Sequence, residues 1–181
     1  MKKIIIYDFD GSLNKRDSLR LLLKYTCGPE EMFYILVNVL HKKLVGGLER
    51  YKYETIKSKW DQLKSSNDQF QSFKTALKSS IEDKILHLHS LDEKYILSGS
   101  FYEIIEHAIE EYPNIHVIAS KLEANEDPLN SRAKASWLSQ LLRSNEITIT
   151  AYGNSIGDLR QLRYVDSFFL RLPILGFIKI K

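Results

Sequence analysis

The sequence predicts an α/β protein in which a helical segment is inserted directly after the first strand. Three observations carry this. Ile4, Ile5, Ile6 and Tyr7 form a short apolar run bounded by charge and a glycine, as a buried strand does. Residues 14–90 show helical spacing with no strand pattern among them. From Tyr95 onward, strand-length apolar runs alternate with helical patterns, the order that builds a parallel sheet. A chain of 181 residues suits one such domain with an insertion, and it can bury a sizeable core.

The first strand runs into Asp8-Phe9-Asp10-Gly11-Ser12-Leu13. Open α/β sheets bind their ligands at the carboxyl ends of strands, which is where these acids stand. Two carboxylates this close repel each other unless a cation or a shared proton relieves them. The pairing suits chemistry in which one acid is a nucleophile and the other moves protons, with a divalent metal between them. A strand that ends in a helix cap, formed by Asp10 or Ser12, is the plainer alternative. Gly11 permits a sharp exit from the strand.

Asp17 and Ser18 can cap a first helix carrying Leu19, Leu21, Leu22, Leu23 and Tyr25, which Gly28-Pro29 ends. A second helix spans Glu30 to Lys43, with Met32, Phe33, Leu36, Val39 and Leu40 at helical spacing, and Gly46-Gly47 breaks it. A third starts near Leu48 and carries Tyr51, Ile56 and Trp60. A fourth covers Phe70, Phe73, Ala76, Leu77 and Ile81 and continues towards Leu88. Together they read as a small helical bundle. Lys42, Lys43, Arg50, Lys52, Lys57, Lys59 and Lys64 make it basic. These form either a solvated face or a field that draws in an anionic substrate. His41, His87 and His89 make no metal-ligand pattern.

The second strand, Tyr95 to Leu97, ends at Ser98-Gly99-Ser100 and gives way to a helix that Pro113 closes. A serine hydroxyl, a glycine N–H and a following helix N-terminus suit a phosphate. Ile115 to Ala119 is a third strand, followed by Lys121 and a polar loop through Asn125 and Asp127. The next helix carries Lys134 in its first turn and Leu138 four residues on. Ile147 to Tyr152 is a fourth strand, leading into Gly153-Asn154-Ser155-Ile156-Gly157-Asp158. That loop reads either as an Asx-rich turn or as a source of metal ligands. Val165 to Leu170 closes the sheet, and the apolar tail from Pro173 to Lys181 packs on it.

Composition excludes several classes. The net charge of +3 is too small to argue for nucleic-acid binding. The single cysteine, Cys27, rules out an internal disulfide and a multi-cysteine metal site. No apolar stretch is long enough for stable membrane insertion, and the N-terminal run is too short for a signal peptide, so a cytoplasmic location is expected. No GxxxxGK[ST] loop occurs, which disfavours a P-loop kinase.

The DFDGSL stretch resembles the first motif of the haloacid dehalogenase (HAD) superfamily of phosphohydrolases, written DxDGT, with Ser12 in place of the threonine. Ser98 resembles the second motif, Lys134 with Leu138 the K-x-x-x-L pattern of the third, and Asn154 to Asp158 the fourth, GDxxxD. The helical insertion resembles the C1-type cap of the phosphoserine-phosphatase-like branch. The resemblance implies a Rossmann-like three-layer α/β/α core from residues 1–13 and 91–181, with a cap from 14–90. It implies an Mg2+-dependent phosphatase that hydrolyses a small phosphorylated substrate through an aspartyl-phosphate. Asp8 would be the nucleophile and Asp10 the acid and base. Ser98, Gly99, Ser12 and Lys134 would hold the phosphoryl group, with Lys121 as the rival lysine. Asp8, Asp10, Asn154 and Asp158 would surround the metal. Asn154 departs from the family's acid, which lowers the ligand charge. Asp17 stands near the point where phosphoserine phosphatases carry a glutamate for the substrate's amino group, although it also suits a helix cap. A phosphotransferase, or a phosphate-binding regulator without turnover, is the alternative.

Overall fold

The computed structural model describes residues 2–88, 92–122, 129–142, 147–155, 158–172 and 175–181. His89, the polar loop 123–128, Ile156-Gly157 of the fourth motif and Pro173 lie outside the described residues. The elements in chain order begin with β1 (Lys2–Tyr7), α1 (Ser18–Thr26), α2 (Pro29–Val45), α3 (Leu48–Lys64), α4 (Asn67–Lys78) and α5 (Asp83–Leu88). Then come β2 (Glu93–Phe101), α6 (Tyr102–Ala108), β3 (Ile115–Ser120), α7 (Ser131–Leu142) and β4 (Ile147–Gly153). A 3-10 helix (Asp158–Tyr164), β5 (Ser167–Leu172) and β6 (Gly176–Lys179) complete the chain.

The six strands form one sheet in the order β3-β2-β1-β4-β5-β6. The first five run parallel, and β6 pairs antiparallel with β5. Alternation along β1 divides the core. Ile4 and Ile6 pack with Leu97, Leu138, Ile149 and Val165, whereas Ile5 and Tyr7 pack with Ile104 and Ile105. Helices thus cover both faces of a mostly parallel sheet, the three-layer α/β/α arrangement of the Rossmann-like fold.

The helical insertion joins the second of these clusters without a gap. Trp60 packs edge-on against Phe70 and Phe73 and lies over His107 of α6. The Tyr53 ring meets Phe101, and its hydroxyl donates to the Leu122 carbonyl at 2.5 Å. Lys74 and Lys78 reach Glu110 at 3.2 and 3.1 Å. The two connections to the sheet run side by side, with Lys15 N–H bonded to Ser80 O and Glu82 N–H to Leu13 O.

Four expectations change. The fourth helix stops at Lys78, because Ser79 to Glu82 turn back to bridge Asn14, and α5 is separate. The second strand runs on to Phe101, with a register irregularity after Leu97. Glycine at position 99 hides that continuation from a propensity reading. The tail is itself a strand. Lys59 is no solvated charge: it is buried, donates to Gln62 Oε1 at 2.7 Å and pairs with Glu31.

Candidate active site

β1 is central in the sheet, and its ladder continues one residue past Tyr7, where Asp8 N–H donates to Tyr152 O at 2.8 Å. Phe9 is fully buried and anchors the turn. Gly11 then adopts φ +72°, and its N–H closes the turn on Asn14 O at 2.7 Å. A Cβ at Gly11 would lie 1.8 Å from Asn154 Nδ2, the movable end of a side chain, so it is the backbone conformation that requires glycine.

Asp8 is buried, and Lys134 Nζ donates to its Oδ1 at 2.6 Å. Asn130 caps α7 by accepting from the Arg132 and Ala133 amides at 3.0 Å, which fixes the turn that carries Lys134. Burial pushes the Asp8 carboxyl up to about 7, and the Lys134 charge opposes it. Burial also works against the Lys134 ammonium, but Asp8 and Asp158 outweigh it and hold the lysine above its ordinary range. Lys121 is exposed, with its ammonium 5.3 Å from the Tyr102 ring centre. Of the two lysines, it is Lys134 that reaches the first aspartate.

Asp10 faces α1. Its Oδ1 accepts from Ser18 N–H at 2.7 Å, and its Oδ2 accepts from the Ser18 hydroxyl at 2.9 Å. Ser100 Oγ lies 2.7 Å from Ser18 Oγ, and Ser100 N–H donates to Ser98 Oγ at 3.0 Å. A hydrogen-bonded path therefore runs from the β2 tip to Asp10. Burial pushes the Asp10 carboxyl up to about 6, against the lowering effect of Ser18 N–H. From sequence alone Ser18 is only a cap and Ser100 only part of a turn. The one signal available was their position beside the two strand tips. Ser98 is buried, two residues past Ile96, which pairs with Tyr7.

Asp158 is buried and turned inward. Its Oδ2 accepts from Asn154 N–H, Ser155 N–H and the Ser155 hydroxyl at 3.3, 3.1 and 2.7 Å. Its Oδ1 meets Lys134 at 3.4 Å and Gln161 Nε2 at 3.3 Å. A Cβ at Gly153 would stand 2.8 Å from Asp158 Cβ, so glycine makes this fold-back possible. Asp158 thus organises the loop that presents Asn154, and both its oxygens are occupied by protein donors. A cation would meet Asp158 either at these engaged oxygens or through water. Among the described residues no three Asp, Glu, His or Cys side chains converge to hold a metal.

Beside Asp158, the oxygens that could hold a cation are the Asp8 carboxylate, the Asp10 carbonyl and the Asn154 amide. Asn154 Nδ2 donates to Asp10 O at 2.7 Å. Two oxygens bound side by side on octahedral Mg2+ stand about 2.9 Å apart, so turning the amide end for end would offer Oδ1 at a fitting separation. The donor set fits a hard cation.

Ser12 is fully buried, and its hydroxyl has no hydrogen-bond partner among the described residues. Asp17 caps α1 through Arg20 N–H at 2.9 Å. It lines an open cleft of about 400 Å³ with Arg16, Arg20 and Lys24. A cavity of about 320 Å³ lies between Gly11, Lys15, Asn154 and Arg171. Arg171 belongs to no sequence motif, and its guanidinium crosses from β5 to Ser12 O at 2.6 Å and Glu82 at 3.2 Å. A larger cavity, about 810 Å³ along α6 and edge strand β3, shares none of these residues.

An α/β/α core with a helical segment after β1 carries one buried and one half-buried aspartate at its central strand tip, which defines a class with a carboxylate-centred site. Residues 5–163 match the family model of haloacid dehalogenase-like hydrolases, and the chain belongs to that family. No curated protein matches the sequence. Among solved structures, a protein of unknown function from Bordetella pertussis Tohama I is similar at 14% identity and TM-score 0.67, covering 93% of this chain and 89% of its own. A phosphoserine phosphatase in apo form is similar at 16% identity and TM-score 0.60, covering 94% and 86%. A phosphoserine phosphohydrolase-like protein from Francisella tularensis has 20% identity and TM-score 0.56, covering 93% and 86%. These likenesses establish the fold.

Proposed function

We propose that this hydrolase is an Mg2+-dependent phosphomonoesterase that acts on a small phosphorylated metabolite through an aspartyl-phosphate on Asp8. The observation that carries this reading is the pairing of a buried carboxylate, charge-paired to Lys134 at 2.6 Å, with a second acid two residues on that burial pushes up to about 6. The first arrangement suits a nucleophile, and the second suits a group that gives and takes a proton near neutrality.

Lys134 engages Asp8 Oδ1, which leaves Oδ2 to attack phosphorus in line. The P–O bond to the leaving group breaks as the Asp8 O–P bond forms, and Asp10 delivers a proton to the departing oxygen. In the second step Asp10 takes a proton from water, which attacks phosphorus and releases phosphate and free Asp8. The Ser18 hydroxyl and N–H hold Asp10 in position for both transfers. Ser98, the Gly99 N–H and Lys134 receive the charge that develops on the phosphoryl oxygens. Asp8, the Asp10 carbonyl and Asn154 would hold Mg2+, which offsets the negative charge gathered at the phosphoryl group.

Phosphate release from a panel of small phosphomonoesters, with and without magnesium, tests this. Wild type releases phosphate only with magnesium, and Asp8→Asn releases none while melting as a folded protein. Full turnover by Asp8→Asn removes Asp8 as the nucleophile. No release from any panel member, together with tight binding of beryllium fluoride, turns the reading to a phosphate-binding regulator.

A further inference from the structure

α2 is built inside out. Phe33, Val37, Leu40 and Leu44 recur along one stripe, and all four face solvent; Phe33 is 70% exposed and Leu44 79%. Tyr34, Leu36 and Val45 widen the stripe and are exposed as well. The one buried residue of the helix, Ile35, lies on the opposite side, where α2 packs on α3. At about 100° per residue, the exposed apolar side chains cover an arc of about 180°. Single exposed apolar residues are ordinary on a protein surface, whereas seven on one helix mark an interaction surface.

Charge and width identify the occupant. No acid occurs between Glu31 and Glu49, and Glu31 is paired with Lys59. The last turns of the helix carry His41, Lys42 and Lys43, whereas Arg50 beyond the Gly46-Gly47 break is paired with Glu54. One end of the apolar arc is therefore framed by bases. Glu30 stands at the other end. A second copy of the chain would cover a narrow coiled-coil seam of the Phe33, Val37, Leu40 and Leu44 kind. It would leave the two edges of the arc, at Leu36 and at Tyr34 with Val45, in water. A lipid surface covers the whole arc at once, and anionic headgroups match the basic end. A helix of 17 residues is about 26 Å long, and no described helix is long and apolar enough to cross a membrane, so α2 lies along the surface.

We propose that α2 docks this protein on a bilayer containing anionic lipid, with its apolar arc in the headgroup region and its lysine-bearing end closest to the phosphates. The inference stands apart from the reading of the carboxylate site, because it uses none of those residues. It places the phosphatase-like core at a membrane surface, where a substrate that is itself anchored in lipid becomes reachable.

Sedimentation of the full chain with phosphatidylcholine vesicles, with and without phosphatidylglycerol, tests the proposal. Wild type sediments with the mixed vesicles, at least about tenfold more weakly with phosphatidylcholine alone, and loses binding in high salt. Leu40→Asp with Leu44→Asp weakens binding at least about tenfold and leaves thermal melting unchanged, since both side chains are exposed. A Phe33→Trp reporter shifts its emission to the blue when mixed vesicles are added. Wild type that stays in the supernatant overturns the proposal, as does a double variant that binds like wild type or a reporter that does not shift. A dimer in analytical ultracentrifugation that the double variant dissociates, without vesicle binding by wild type, assigns the face to a second copy instead.

Discussion

Lys134 decides the charge balance of the carboxylate cluster. It is buried between Asp8 and Asp158, at 2.6 and 3.4 Å, and no other described cation bonds either side chain. Removing one partner of a buried ion pair leaves the other charge desolvated, which costs about 3–5 kcal/mol. Lys134→Ala is therefore expected to lose roughly that much stability in urea unfolding at neutral pH, and less at pH 5, where Asp8 is protonated in the folded state. Equal losses at both pH values would show that packing, not charge, sets the cost. Asn154 is the complementary case. Asn154→Asp restores a full ligand charge beside the Asp10 carbonyl, and the magnesium concentration that gives half the thermal shift should fall about tenfold. An unchanged midpoint would place the cation elsewhere.

At the scale of elements, what was legible in the sequence is what short stretches determine. β1, its two terminal acids and the apolar faces of α1 and α4 all follow from local periodicity. The motif order along the chain gave the strand tips. Contacts between distant segments were not legible. Asp158 sits in a metal-ligand motif, yet its direction depends on the space at Gly153 and on the donors of Asn154 and Ser155. Ser12 carries the hydroxyl the motif asks for, but the turn rolls it into the core. Ser18 read as a capping residue, and the N-terminus of α1 instead delivers its N–H and hydroxyl to Asp10. Ser18→Ala keeps the N–H and removes the hydroxyl. Losing a hydrogen bond to the charged form raises a carboxyl pKa, by about one unit for a bond of this kind. Carboxyl NMR should find Asp10 titrating above its wild-type value, and an unmoved titration would mean that the hydroxyl serves Ser100 alone.

At the scale of the whole molecule, the site works against the stability of the fold that holds it. Desolvation pushes the Asp8 and Asp10 carboxyls up to about 7 and about 6 in the folded protein, above their ordinary 3.8. Between about pH 4 and pH 7 the folded state therefore binds more protons than the unfolded state, and stability must fall as pH rises through that window. His107, lowered first of all by burial against the helical segment, pulls the other way over the upper part of the window. The two carboxyls are isolated by comparing variants. In chelator, the urea midpoint of wild type should decline from pH 4 to pH 7 relative to that of Asp10→Asn, and again relative to that of Asp8→Asn. Magnesium should reverse the decline near pH 7, because a cation held by Asp8, the Asp10 carbonyl and Asn154 binds the ionised form and draws the folded state with it. Parallel profiles for wild type and both variants would mean that these carboxyls are no more basic in the folded chain than in the unfolded one. The acid–base role given to Asp10 would then lose its footing.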